Sequence, residues 1–172
     1  MSHITQRTRY LWPTAAAILV AAACTVERAD VRTPSGEPPE ADTTQIRRLV
    51  DEIARAYETG DLGSLDTIYH ESATVFEGDK ADTGWPSYRD GHLVPELELL
   101  SDRRLRFEGI RVRLTGSTAW ATCRYALTAV RDGEDVTARG LGTMVFRRFA
   151  GRWRLVHAHT STGGGNEDGN GG

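Results

Sequence analysis

The order of residue patterns along the chain predicts an α+β domain in which helices pack on one face of a bent antiparallel sheet. Helical periodicity is confined to residues 43–100, and four long strand-like runs joined by hairpin turns follow it. Within the first of those runs the apolar alternation changes phase, the mark of a β-bulge that bends a strand.

Each element has its own signal. Ile46, Leu49, Val50, Ile53, Ala54 and Tyr57 recur at steps of three and four, one stripe of a helix. Asp42, Thr43 or Thr44 can cap its start, and Gly60 ends it. Asp61 caps a second, short helix that turns Leu62, Leu65, Ile68 and Tyr69 inward. Ala73 to Phe76 reads as a short strand. Pro86 suits the first turn of a third helix that reaches about Leu100 and is bent or loosened by Gly91 and Pro95.

Strands are expected at about 103–115, 118–130, 135–149 and 152–161. Their connections, Thr115-Gly116-Ser117, Arg131-Asp132-Gly133-Glu134 and Ala150-Gly151, have hairpin chemistry. Leu105 and Phe107 alternate as one apolar set. Ile110, Val112 and Leu114 form another in the opposite phase, so the flip falls at Glu108-Gly109. A long bent sheet wrapped around helices is a cone with a mouth. On the second strand Ala119, Ala121, Cys123, Tyr125, Leu127 and Ala129 form the inward set. Trp120 then faces outward, which asks for a partner and predicts a homodimer through the convex face.

The 172 residues are 39% hydrophobic and 26% charged, as expected of one globular domain. The formal charge of −3 becomes more negative once Arg7 and Arg9 are removed with a leader. Without a basic stripe, nucleic acid is not an expected partner. Of the two cysteines, Cys24 ends a hydrophobic leader and Cys123 lies in a strand pattern, where it reads as a small buried hydrophobe.

Residues 1–23 have the three parts of a secretory signal: Arg7 and Arg9, an apolar run from Leu11 to Ala23, and small residues before Cys24. The run is too short for a membrane span. Leu19-Val20-Ala21-Ala22-Ala23-Cys24 resembles the bacterial lipoprotein cleavage site, although Ala21 stands where that pattern usually has Leu. This implies lipidation at Cys24, an exported chain facing the periplasm or exterior, and membrane contact through the lipid alone. With Val26 rather than Asp two residues on, the same rules imply the outer membrane in a Gram-negative cell. Residues 24–41, rich in Pro and charge, read as a tether, and the Gly-rich residues 163–172 as a tail. The domain is then 42–162.

Several segments match a known family. They are Ala56-Tyr57-Glu58-Thr59-Gly60-Asp61-Leu62 with Ile68-Tyr69-His70-Glu71; Val75-Phe76-Glu77-Gly78; Gly84 to Glu96; Gly142 to Arg148; and Gly151 to Ser161. They resemble SnoaL-like domains of the nuclear transport factor 2-like superfamily. The resemblance covers about residues 42–162. It implies a cone of three N-terminal helices on a bent antiparallel sheet, a pocket between them, and frequent homodimers. It does not imply one activity, because relatives include cyclases, ketosteroid isomerases, dehydratases, epoxide hydrolases and non-catalytic binding or assembly domains.

Trp85, Tyr88 and His92 stand at i, i+3 and i+7 and share a helix face, either as a core plug or as a pocket wall with polar tips. Tyr69 and Phe107 join that wall. Trp153, Leu155, His157 and His159 alternate on the last strand, which draws both histidines toward the cone. Trp85, Tyr69, Tyr88, His92, Phe107, His157 and His159 are therefore the expected ligand-binding set. For a catalyst, His157 or His159 is the expected proton acceptor and Tyr88 the donor to an oxyanion. His70 reads as a cap at the second helix's end. Of the acids, Asp79 and Asp82 read as a solvated loop, Asp90 lies off the shared face, and Glu77 is the one to watch.

His92-x-x-x-Glu96 and His157-x-His159 have metal-compatible spacing, but Pro95 disturbs the helix, and neither metal nor cofactor is expected. Three functions fit: a small-molecule-binding envelope lipoprotein, an acid/base enzyme acting on a small carbonyl or polycyclic substrate, and an assembly module. Two or more titratable groups around a void of about 300 Å³ favour the first two. A cavity plugged by Trp85 and Phe107 favours the third.

Overall fold

The computed structural model describes residues 40–162. Helix α1 (Glu40–Thr59) buries the expected stripe, with Ile46 and Val50 wholly enclosed. Asp42 does not cap it. Its carboxylate pairs with Arg148 and accepts from Trp153 Nε1 at 3.4 Å, so it ties the helix's first turn to the last two strands. Asp61 does cap α2 (Leu62–Ile68): its Oδ1 accepts the Ser64 N–H at 3.0 Å. The helix is shorter than its pattern suggested. Tyr69 and His70 already belong to strand β1 (Tyr69–Glu77), which pairs as a hairpin with β2 (Lys80–Thr83).

The third helix is broken rather than merely bent. It runs as α3 (Trp85–Tyr88), a π-helical turn (Arg89–Leu93) and α4 (Val94–Leu99). Pro95 has no N–H to give the Gly91 carbonyl, and the backbone answers with a wider turn in which the Val94 N–H reaches Arg89. Arg103 then closes the ends of α1 and α4 together. Its guanidinium donates to the carbonyls of Tyr57 (3.2 Å), Glu58 (3.3 Å), Leu97 (2.8 Å) and Leu100. These carbonyls lie at or just beyond the C-terminal, negative ends of the two helices, the place a cation favours.

The remaining strands are β3 (Ser101–Thr115), β4 (Thr118–Arg131), β5 (Glu134–Phe149) and β6 (Arg152–Thr162). The six-stranded sheet has the order β2-β1-β6-β5-β4-β3. It is mixed, because β1 lies parallel to β6 while every other pair is antiparallel. Two bulges bend it. The one in β3 falls between Glu108 and Arg111, where the alternation flips, and Gly109 takes a φ of 63° there. The other is in β6: Val145 pairs with His157 and Phe146 with Leu155, so Val156 has no partner. Phe146, Leu155 and Val75 from the sheet share one buried core cluster with Ile46 and Val50 of α1. Ala119 and Ala121, wholly buried on β4, belong to the same core cluster.

Candidate functional site

Between helices and concave sheet lies a cavity of about 360 Å³. Its wall is mostly apolar and aromatic, with Ile53, Leu65, Tyr69, Phe107, Leu127 and Met144 among the lining residues. Asp79, Lys80, Tyr125, Thr160 and Thr162 also line it, and five further polar groups form a cluster supplied by three elements. Strand β1 ends on Glu77, helix α1 brings Tyr57, and the broken third helix brings Tyr88, His92 and Glu96. The Arg103 clamp fixes the ends of α1 and α4 side by side, and there the Tyr57 hydroxyl donates to Glu96 Oε1 at 2.5 Å. Tyr88 donates to Glu77 Oε1 at 3.0 Å.

His92 is held on both sides. Its Nδ1 lies 2.9 Å from Asp82 Oδ2; an ionised carboxylate can only accept, so Nδ1 carries the proton in this bond. Its Nε2 faces the other oxygens of the two glutamates, 3.4 Å from Glu77 Oε2 and 3.8 Å from Glu96 Oε2. These three donor atoms all lie within 4.8 Å of one another, close enough to hold a metal ion. Burial, and then the Glu96 charge, push the Glu77 carboxyl above its ordinary range, against the pull of His92 and the Tyr88 hydrogen bond. Burial first and neighbouring carboxylates second raise Tyr57, Tyr69 and Tyr88, so all three keep their protons, and Tyr57 and Tyr88 act as donors.

Tyr69, Tyr88, His92 and Phe107 line the cavity as expected. Trp85, His157 and His159 do not. Trp85 plugs the core beside it, stacked on Tyr69 at 4.2 Å with its Nε1 donating to Asp66 at 2.8 Å. The two histidines fail for a physical reason: the bulge at Val156 reverses the alternation that Trp153 and Leu155 began. Ala158, Thr160 and Thr162 take the inner positions. His157 instead meets Thr74 Oγ1 at 2.7 Å and packs edge-on against Phe76, and His159 is exposed. Neither lines the cavity, and among the described residues His92 is the histidine that does. His70 stacks on Phe149 at 4.3 Å and does not line this cavity.

Asp79 lines the cavity, and Asp82 is not solvated as the sequence predicts. It sits in β2, opposite Val75, with its side chain only 20% exposed. A strand of four residues leaves almost no sequence trace. Tyr57 and Tyr125 were legible as inward-facing but not as pocket residues. Glu96 was visible only through its spacing from His92. Cys24, the leader, residues 25–39 of the tether and the tail lie outside the described residues, while Glu40 and Ala41 belong to α1 rather than to a tether.

A SnoaL-like domain model matches residues 46–163. Among curated proteins there is no significant match. Solved structures share the fold at low identity. A nuclear transport factor 2-like superfamily protein from Salmonella enterica is 18% identical, covers 77% of this chain and 99% of its own, and superposes with a TM-score of 0.68. A protein assigned as a candidate dehydratase of the same family, from Streptomyces avermitilis, is 19% identical over 73% of this chain and 99% of its own, with a TM-score of 0.66. The CaMKII hub of S. rosetta is 22% identical over 70% and 95%, with a TM-score of 0.60. With the family model spanning most of the described domain, the chain belongs to the SnoaL-like domain family and has its nuclear transport factor 2-like fold.

Proposed function

We propose that the domain binds a small molecule with an apolar body and one polar end, as part of a lipoprotein held at the cell envelope through Cys24. The observation that carries this reading is a mostly apolar cavity of about 360 Å³ with a hydrogen-bonded cluster of carboxylates and tyrosines in its wall. Pockets of this size bind through apolar walls and take their orientation from a few placed polar groups. Phe107 forms part of the wall and Trp85 stands outside it, so neither plugs the void, which counts against a purely architectural role. The test is a fluorescence titration with Nile red, a neutral apolar dye. Saturable binding is expected, and Ala138→Phe, which grows a ring from the cavity wall, should weaken it about tenfold or more. Equal binding by the variant would refute the assignment of the cavity.

An enzymatic reading is favoured by one feature, the Asp82–His92 pair. A carboxylate that fixes one ring nitrogen leaves the other aimed at whatever occupies the cavity, as a general base requires. The dehydratase and ketosteroid isomerase names carried by structural neighbours point the same way, toward proton transfer beside a carbonyl. The convex sheet face supports a homodimer in either case. Trp120, Thr122 and Val145 share that face with Leu141, 60% exposed, and Phe76, 39% exposed.

A further inference from the structure

We propose that the polar cluster in the cavity wall is a binding site for a first-row divalent cation, with Glu77 Oε2, Glu96 Oε2 and His92 Nε2 as its protein ligands. Three independent features converge on it. The donor spacing is near what an ion needs and would close by a few tenths of an ångström on binding: ligand bonds of about 2.0–2.2 Å require donor atoms about 3.3–3.6 Å apart around a tetrahedral ion. Nε2 already stands 3.4 Å from Glu77 Oε2 and 3.8 Å from Glu96 Oε2.

Each donor is also held from behind by a different residue. Glu77 gives Oε1 to Tyr88, Glu96 gives Oε1 to Tyr57, and His92 gives Nδ1 to Asp82. All three groups thus present their second atom to one point. A histidine oriented by a carboxylate and carboxylates oriented by hydroxyls are the outer shell that metal ligands characteristically have. The charge is unbalanced as well. Three carboxylates surround one imidazole, and Lys80, the chain's single lysine, lines the same cavity but is exposed and forms no ion pair with them. A divalent ion would balance two of those charges where a proton balances one.

Three protein ligands leave a fourth position, and the groups that would supply it lie in the cavity. The site therefore takes an oxygen or nitrogen donor from a small molecule, such as a carboxylate, hydroxamate or enol. This last step rests on the pocket reading; the ion site does not. Oxygen ligands with one imidazole suit Zn²⁺, Mn²⁺, Fe²⁺ or Co²⁺. The sequence motif that suggested metal combined His92 and Glu96 with the wrong second pair. Glu77 supplies what His157 and His159 cannot.

The test is calorimetric titration of the chelator-stripped, purified chain with ZnCl₂, repeated with CoCl₂ and followed by visible absorption. A Cys24→Ala background keeps the leader's thiol out of the competition. We expect one ion per chain. Glu77→Gln and Glu96→Gln should each weaken it at least tenfold, and Asp82→Asn about tenfold, through the orientation of His92 alone. His157→Gln/His159→Gln should leave affinity unchanged. Absence of saturable binding, retention of affinity in both glutamate variants, or its loss in the outward histidine variant would each overturn the proposal. Nile red binding in chelator keeps the two readings apart. Dye without metal leaves the pocket standing and ends the ion site; metal without dye does the reverse. An ion on Nε2 also occupies the lone pair that the enzymatic reading assigns to a base.

Discussion

His92 and Asp82, ten residues apart, meet across the hairpin and the broken helix with Nδ1 2.9 Å from Oδ2. This bond fixes the imidazole's tautomer as well as its direction. Nitrogen NMR of the ring in its neutral state should show His92 protonated on Nδ1. Asp82→Asn should remove that preference and cost about 1–3 kcal/mol of stability, the usual range for a hydrogen bond to a charged group. A ring already protonated on Nε2 in the wild type would show that the pair is not formed in solution.

Gly140 makes room for the pocket wall. A methyl added there would lie 1.8 Å from the Ser161 carbonyl oxygen and 2.8 Å from the ring of Tyr125, which lines the cavity. The first neighbour is backbone and cannot swing aside. Gly140→Ala should therefore destabilise the domain by about 3 kcal/mol in urea unfolding. Gly142→Ala, whose nearest neighbour is the Cys123 sulfur at 3.0 Å, should cost about 1 kcal/mol or less. Equal costs would mean that β5 and β6 do not close as described.

The proposed dimer makes a surface prediction. Leu141→Arg places a charge on the convex face and should convert a dimer to a monomer by light scattering, without loss of helix or sheet by circular dichroism. A wild type that is already monomeric would remove the dimer from the account.

Export and anchoring are tested on the intact chain. Cys24→Ala should move the protein from the membrane fraction to the soluble envelope fraction. A wild-type mass showing cleavage after Ala23 and no lipid would contradict the anchor.

The fold was legible because each element advertises itself with a period. The stripe Ile46 to Tyr57, the inward set of β4 and the phase flip at Gly109 all survive in the structure. What failed was local. The β3 bulge is marked by a glycine. The β6 bulge is marked only by the apolar doublet Leu155-Val156, and missing it turned His157 and His159 inward on paper. The parallel pairing of β1 with β6 leaves no local signal, because it depends on how distant segments assemble. The cluster of Glu77, His92 and Glu96 was half legible for the same reason: helix spacing reveals His92 and Glu96, while Glu77 and Asp82 join them only through the sheet.

The central claim is that the cavity holds a small molecule, and Met144 offers a direct reporter. It lines the cavity, is 4% exposed, and shares the chain with only one other methionine, Met1. With methionine methyl groups labelled with carbon-13, titration with Nile red should shift the Met144 resonance saturably, with the dye's own fluorescence affinity, and Ala138→Phe should abolish both effects together. Dye binding that leaves the Met144 methyl unmoved would place the ligand elsewhere and contradict the account.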